Sequence, residues 1–497
     1  MILAFLLVIT ACQRPENVKD SDMIPPIYPD YTDITIPPNI APLNFMLRNN
    51  PEAVEVSIES ASKKIIMRGS QKVQFSKKMW RELLEAETGK IITIRVTAKV
   101  NGEWIRYTPF HWQVAPDKID SYLSYRLIEP GYEVWNAIQM RSRDLESFYE
   151  YVIADNNLTD NSCMNCHIYS NQNPDLSFFH LRGAKGGTIL NRNGQLRKLN
   201  IKTEDMISSA TYGDLHPSGR YGVFSNNIII PAFHTYQGKR LEVYDESSDL
   251  ILVDFDENKI ISFPVNNTGI VDNPAVTDTT DSSNGKKPFR TFPVFSSDGK
   301  YVYYCEAPYV KLPENINRLM YSIHRVRFNQ NPLCFGTEID TLFSASKTGK
   351  SVCHLKASPN GKYLMYTVAD YGTFPIWHQE TDLQMLNLQT METDSLHQVN
   401  ADYSDTYHSW SSDSRWFVFA SKRDDGVYGK PYFSYIDATG RATKPFLLPQ
   451  KDPALYDYGL KSYNIPELSK GRPTFNARDI EAIYNKADVE SMSQLPY

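Results

Sequence analysis

The stretch Ser296-Ser-Asp-Gly-Lys-Tyr-Val-Tyr-Tyr304 decides the fold, because it joins a tight turn directly to an apolar strand. The Gly of such a turn accepts a positive φ, and the aromatic and β-branched residues after it favour an extended chain. A basic residue and an apolar strand follow each of the related turns, which predicts a repeated antiparallel β unit. The related turns are His216-Pro217-Ser218-Gly219, Ser358-Pro359-Asn360-Gly361 and Ser411-Ser412-Asp413-Ser414.

These turns resemble the TolB-type propeller repeat, whose hallmark is a Trp-Ser-Pro-Asp-Gly-Lys turn before an aliphatic strand. The copies are imperfect: the one at Leu215 lacks the Trp, and the one ending at Ser414 lacks the Gly. The resemblance implies a TolB-like β-propeller over residues 201–470 with about six blades, five or seven remaining open. We expect residues 122–140 and the segment 460–465 to complete the last blade, because closure removes exposed sheet edges.

The chain before the repeat is also predicted to be β-rich. Residues 37–116 alternate between polar and apolar side chains, with one helix over Lys77–Glu87 and a hairpin turn at Asn101-Gly102, which favours an immunoglobulin-like β-sandwich. Arg141–Ala154 is predicted to be an amphipathic helix. The fold class is therefore all-β, a sandwich followed by a propeller. Residues 117–200 merge into the first blade, and residues 471–497 form a tail.

Composition and motifs exclude several classes of function. The chain has 497 residues, a net charge of −6 and no basic patch, so we expect no nucleic-acid partner. It contains no Gly-x-Ser-x-Gly elbow, no phosphate-binding loop and no His-Glu-x-x-His motif. Asp298 and Asp413 could form a catalytic carboxylate pair, but their place in repeated turns favours a structural role. Whether the chain is an enzyme stays open.

The first twelve residues resemble a bacterial lipoprotein signal. The apolar run that ends at Ala11 is too short to cross a bilayer and is followed by Cys12, as in a lipobox. We expect residues 1–12 to be a signal peptide with Cys12 lipidated, and residues 13–36 to be a Pro-rich tether. The mature protein would then be anchored by lipid in the cell envelope, on the outer membrane or a membrane facing the periplasm.

The pentapeptide Cys163-Met-Asn-Cys-His167 has the spacing of a c-type haem attachment site. Cys163 and Cys166 would bind the two vinyl groups of one haem c, and His167 would bind iron from the proximal side. A redox-active dithiol or a disulfide is an alternative, whereas a zinc site lacks a second ligand pair. We expect the cysteines outside this motif and the lipobox to be buried free thiols: Cys305, Cys334 and Cys353.

The distal iron ligand remains open at this point. His180 follows in the next predicted strand, and His234 holds the corresponding place in the following blade; Met140, His216 or an open site are further options. Aligned with the repeat, the haem motif itself would occupy the first turn of a blade. The basic loop Arg182–Gly187 is expected to be a plain hairpin loop, or to contact a haem propionate.

Together these features resemble a group of propeller lipoproteins with a cytochrome-like motif, known mainly from Bacteroidetes genomes. The resemblance implies a haem-bearing envelope protein without a defined substrate. The leading hypothesis is electron transfer or redox sensing with a redox or envelope protein partner. The alternatives are a non-catalytic propeller scaffold that binds an envelope partner, and a haem enzyme that uses an open iron site, for example on peroxide.

The lipobox generates the first prediction. Replacing the thiol in Cys12→Ser should release the protein from membranes, because no acyl chain can then be attached. The measurement is the fraction of protein in the membrane pellet of a detergent-free lysate, compared with the wild type and with a Cys334→Ala control. Release of the wild-type protein into the soluble fraction would contradict the prediction.

Overall fold

A computed structural model describes residues 14–60, 63–129, 137–233, 241–264 and 286–495, and these are nearly all in strands and their connections. The predicted signal peptide, Cys12 and His234 lie outside the described residues. The chain divides into two compact units: residues 1–121, 144–149 and 432–460 form the first, and residues 122–143, 150–431 and 461–497 form the second. Within the described ranges, no helix is long and apolar enough to span a membrane.

Within the described residues, the first unit contains two sheets and two α-helices. In the larger sheet, Ile91–Val100 pairs with Ala53–Glu59, Glu103–Arg106 and Phe110–Val114. Lys64–Gly69, Lys19–Asp20 and Ile34–Ile36 extend this sheet. The smaller sheet has the order Ile27–Tyr28, Phe45–Leu47, Lys72–Val73. The helices are Lys77–Glu87 and Leu455–Tyr458, and the short strand Phe446–Leu447 pairs with residues 432 and 433.

The helix predicted over Lys77–Glu87 is confirmed, and the side chain of Ser76 caps its first turn by accepting a hydrogen bond from the Met79 amide. The tether predicted over residues 13–36 is wrong for most of its length. Ile34–Ile36 runs parallel to Phe110–Val114 inside the larger sheet, and the side chain of Tyr31 is fully buried. The prolines that suggested a tether lie between these short strands and do not interrupt them, because proline is tolerated where strands begin and end.

In the second unit, successive sheets follow one another along the chain, and their strands pair antiparallel except where Glu490–Ser491 and Ser493–Gln494 add as parallel edge strands. Its helices are Ala345–Thr348 and Ala477–Tyr484, with 3₁₀ turns at Asn156–Leu158, Ser170–Gln172, Ile316–Arg318 and Pro375–Trp377. Five of its sheets have these strand orders: Ser462–Ser469, Tyr122–Ile128, Gln139–Asp144, Glu150–Asp155; Met164–Tyr169, Leu176–Leu181, Gly187–Arg192, Gln195–Asn200, Glu490–Ser491; Ala210–Leu215, Tyr221–Phe233, Leu241–Asp254, Lys259–Ser262, Ser493–Gln494; Phe289–Phe295, Tyr301–Ala307, Ser322–Gln330, Leu333–Phe343; and Ser351–Ala357, Tyr363–Ala369, Asp382–Asn387, Thr393–Asp394. A sixth sheet begins with the paired strands Asp405–Trp410 and Trp416–Ser421. The next strand is Lys430–Tyr435, and the boundary between the two units lies within it.

The first strand of each sheet lies next to the first strand of the following sheet, and the last of these contacts the first, so that they form a closed ring. We call these six the inner strands. Within the described chain this radial arrangement is that of a β-propeller, which confirms the predicted propeller class. The inner strands, in ring order, are Met164–Tyr169, Ala210–Leu215, Phe289–Phe295, Ser351–Ala357, Asp405–Trp410 and Ser462–Ser469.

The repeated turns each connect an inner strand to the second strand of its sheet. Gly219, Gly299 and Gly361 have φ of 72°, 71° and 70°, as the turn requires. Asp298 accepts hydrogen bonds from the Ser296 hydroxyl and the Lys300 amide, and the turn at Asp413 has the same arrangement. These contacts confirm the structural role that the sequence predicts for Asp298 and Asp413.

Two segments of the second unit differ from the predictions. Arg141–Ala154 is not a helix: it forms the antiparallel strands Gln139–Asp144 and Glu150–Asp155, and its expected apolar face does not exist because Leu145 is buried while Tyr149 is exposed. Residues 471–497 are not a loose tail. They contain Ala477–Tyr484, which buries Ile480, Ile483 and Tyr484 in an apolar cluster.

The ring generates the second prediction. Leu468 in the Ser462–Ser469 strand is fully buried opposite Leu123, so Leu468→Ala should lower the free energy of unfolding by ~2–5 kcal/mol. Leu460→Ala, at a side chain that is 67% exposed, should change it by less than about 0.5 kcal/mol. Urea unfolding followed by circular dichroism measures both. Equal effects of the two substitutions would contradict the arrangement of this strand.

Candidate functional site

A cavity of about 230 Å³ lies at the centre of the ring, and residues from all six inner strands line it. Its wall is largely aromatic, with two basic side chains, Arg126 and Lys356. The lining residues used below are Cys166 and His167, Tyr212, Phe292 and Phe374, His354, Tyr407 and His408, and Ile465.

Each inner strand has a β-bulge or irregular register where it lines this cavity. In five of the strands, the residue at this position is a non-glycine residue with φ between 49° and 57°. Such values are uncommon outside glycine, and bulges re-aim side chains next to functional sites. On every inner strand, the residue at this bulge lies four positions before the first residue of the following turn. These positions are Cys166, Tyr212, Phe292, His354, Tyr407 and Ile465.

The haem motif lies on an inner strand, so the prediction that it occupies a blade's first turn is wrong. Cys166 and His167 are inside Met164–Tyr169, and the turn of that sheet comes after them, at Ser170. The strand is held by a hydrogen bond from the Arg126 guanidinium to the Met164 carbonyl, 2.7 Å long.

The two thiols have different surroundings. Cys166 is buried and lines the cavity, and burial raises the pKa of its thiol to about 11. Cys163 is partly buried against an apolar cluster that contains Ile138 and Phe179, and burial raises its pKa as well. Both cysteines are free thiols. Neither is therefore the exposed, low-pKa thiolate that a redox-active dithiol requires.

His167 is 3% exposed, and its Nε2 has no hydrogen-bond partner among the residues that the structure describes. Burial, together with the positive charges of Arg126 and Lys356, lowers the pKa of the imidazole to about 3. The ring is therefore neutral near pH 7, which is the form that binds metals. An unpaired buried nitrogen is costly. The Nε2 of His180 and the Nδ1 of His408 are unpaired among the described residues in the same way, so His167 is distinguished by its place in the Cys163–His167 pentapeptide beside the cavity.

The other histidines proposed as ligands from the sequence lie elsewhere. His180 is buried between sheets, with Nδ1 2.9 Å from the Thr188 hydroxyl and its ring against Phe178 and Phe224. His216 belongs to its turn, where Nδ1 contacts the Ser218 hydroxyl. Neither lines the central cavity.

Two further expectations concern the same region. Met140 is buried in the apolar cluster beside Cys163, so its side chain has a packing role. The loop Arg182–Gly187 connects two paired strands as a hairpin, as expected. The three cysteines expected to be free thiols are free, with Cys305 and Cys353 buried and Cys334 partly buried.

Sequence reasoning missed the two histidines that do line the cavity. His354 is half-buried, its Nδ1 lies 2.8 Å from the Thr406 hydroxyl, and its ring stacks on that of Tyr407 at a centroid distance of 4.4 Å. His408 is buried, and its Nε2 donates a hydrogen bond to the Met365 carbonyl at 2.9 Å. Counting four residues back from the turn at Ser358 would have found His354.

The donor atoms of the cavity match part of a haem c site, because Cys166 and His167 line the cavity whereas Cys163 packs outside it. A thiol and a neutral, unpaired imidazole adjoin on one strand, aromatic rings line the wall, and Arg126 and Lys356 offer positive charge for carboxylates. The volume is below the 300–1,000 Å³ usual for sites that enclose a small molecule, so the fit concerns the donor atoms and not a preformed pocket. Within the described residues, no group of three or more His, Cys, Asp or Glu side chains is placed to hold a bare metal ion.

No family model matches the chain, and no curated protein matches it. Among solved structures it is similar to prolyl oligopeptidase B from Galerina marginata, with 9% identity over 71% of this chain and 42% of that one, at a TM-score of 0.34. It is also similar to a periplasmic gluconolactonase from Pseudomonas aeruginosa, with 14% identity over 65% and 81% of the two chains and a TM-score of 0.35.

A third similar structure is an endo-arabinase from Bacteroides thetaiotaomicron, with 10% identity over 55% and 89% of the two chains and a TM-score of 0.25. The chain spans less than half the length of the prolyl oligopeptidase that it matches. Likenesses at these scores have no weight for function, and the propeller class rests on the ring of inner strands.

The buried imidazoles generate the third prediction. Burial lowers the pKa of His408 to about 3, whereas an unfolded histidine titrates near 6.5. Between these values the unfolded state binds the extra proton, so stability falls as the pH is lowered from 6.5 toward 3, by up to about 1.4 kcal/mol per pH unit. In haem-free protein, His408→Gln should reduce this slope in urea unfolding measured from pH 7 to pH 4.

The control for this experiment is Leu460→Ala, which removes an exposed side chain without an ionisable group and should leave the slope unchanged. If His408→Gln and the wild type lose stability in parallel over this range, His408 does not stay neutral in the folded protein.

Proposed function

We propose that this chain carries one covalent haem c at the central cavity and serves in electron transfer or redox sensing in the cell envelope. The observation that carries the proposal is the position of Cys166 and His167 together on an inner strand, with the buried Nε2 of His167 unpaired among the described residues. In this proposal Cys163 and Cys166 hold the haem by thioethers and His167 binds its iron. When bound, the haem supplies reversible one-electron transfer.

The residues around the motif support such a role. Arg126 and Lys356 place positive charge at the cavity, which favours anionic carboxylates there. Phe292, Phe374 and Tyr407 cover the wall with apolar surface and limit the access of water, which tends to raise a reduction potential. The neutral state of His167 keeps its nitrogen lone pair available.

Attachment requires a change at Cys163, whose side chain packs outside the cavity. We propose that haem attachment draws the first part of the motif away from the apolar cluster, since Cys163 is only partly buried there. The backbone beside it is tied by one hydrogen bond from the Arg182 amide to the Cys163 carbonyl, 2.9 Å long.

The finer description of the fold and the location of the protein belong to the same proposal. Each sheet of the second unit would be one blade of a six-bladed TolB-like propeller, and the first unit would be an immunoglobulin-like sandwich. The protein would be a lipoprotein anchored through Cys12, with a redox or envelope protein as its partner. Support for the anchor comes from the sequence, because residues 1–12 lie outside the described residues.

The fourth prediction tests the haem. Protein produced in a host with a cytochrome c maturation system should gain the mass of one haem in intact mass spectrometry, and its pyridine haemochrome spectrum should be that of two thioethers. The double substitution Cys163→Ala with Cys166→Ala should remove covalent haem, while Cys334→Ala, at a partly buried free thiol outside the cavity, should retain it.

The other sheets do not contain the motif, so the far-ultraviolet circular dichroism of the double variant should match that of the wild type. A wild-type protein without any haem mass would refute the proposal and favour the propeller scaffold. Haem with high-spin iron that binds external ligands would favour the haem enzyme instead.

A further inference from the structure

The side of the ring that faces Cys166 carries a histidine at the cavity. The six inner strands follow one another in a closed order, and the strand Ser351–Ala357 is the third after Met164–Tyr169 in either direction. It therefore lies across the central cavity from the haem motif. His354 occupies on this strand the position that Cys166 occupies on its own, four residues before the turn, with φ of 51° and 57° respectively.

We propose that His354 is the distal iron ligand of this protein, an assignment that rests on the haem function proposed above. The hydrogen bond between Nδ1 and the Thr406 hydroxyl fixes the orientation of the ring and leaves Nε2 as the nitrogen for iron. Stacking on Tyr407 and an edge contact with Phe292, at centroid distances of 4.4 Å and 4.8 Å, hold the ring plane. These contacts hold the His354 ring in one orientation, in which Nε2 is the nitrogen that would bind iron.

The other candidates are less suited. His408 uses Nε2 to bind the Met365 carbonyl, and its Nδ1 is buried without a partner among the described residues, so ligation through Nε2 would require breaking a buried hydrogen bond. His180, which the sequence favoured, does not line the cavity.

The experiment compares the ferric absorption and electron paramagnetic resonance spectra of four haem-loaded proteins: the wild type, His354→Ala, His408→Ala and His180→Ala. We expect low-spin iron in the wild type and in the His408 and His180 variants. His354→Ala should be high-spin, and imidazole added to it should restore the low-spin spectrum by entering the vacated position. His354→Gln fills the same space without a ligating nitrogen and should behave like His354→Ala, which covers the case in which the alanine variant does not fold.

Two outcomes separate the two proposals. If intact mass spectrometry finds no haem in the wild type, the haem function itself fails. If haem is attached and the His354 variants remain low-spin, or if the His408 or His180 variant becomes high-spin instead, the haem function stands and the assignment of His354 is overturned.

Discussion

The pairing of Ser462–Ser469 with Tyr122–Ile128 is the constraint on which the second unit depends. One sheet takes its inner strand from the end of the chain and its other three strands from a segment some 300 residues earlier, so it forms only when the rest of the ring has been laid down. Closing the ring places the six inner strands side by side around the centre, while each sheet keeps its own outer edge strand. It also sets the site, because the cavity has six walls only when this strand is in place.

The sequence predicted the propeller class because its information lies in local turns. A turn of fixed form followed by an apolar strand needs no tertiary contact to be recognised, and Gly219, Gly299 and Gly361 have the positive φ that their turns require. The repeated turns also indicate which residues line the central cavity. Each cavity residue lies four positions before its turn, so aligning the recognisable turns would have placed His354 in line with Tyr212, Phe292 and Tyr407. The haem motif was misplaced because its own sheet has Ser170 to Asp175 in place of the Ser-x-Asp-Gly pattern.

Other features could not be predicted from the sequence, for a physical reason. The strands over Gln139–Asp144 and Glu150–Asp155 alternate too weakly to be distinguished from a helix, and their strand form depends on pairing with each other and with Tyr122–Ile128. The short strands Ile34–Ile36 and Glu490–Ser491 are too brief to have a periodicity, and they exist because a longer strand offers them an edge. Which side chains meet across the ring is likewise a property of closure, which acts between residues far apart in the sequence.

The cavity imposes costs on the haem-free protein, and these costs bear on its function. A buried nitrogen without a partner, as at His167, costs ~1–3 kcal/mol, and non-glycine residues in the left-handed region, as at Cys166 and His354, cost of the same order each. Such costs persist only where the surrounding structure over-determines the conformation, which the closed ring does. A group that pairs with the Nε2 of His167 would remove the first cost and, by binding the folded state alone, would stabilise the protein by linkage. The backbone cost at Cys166 and His354 is the same with and without that group, so it orients their side chains and adds nothing to the affinity.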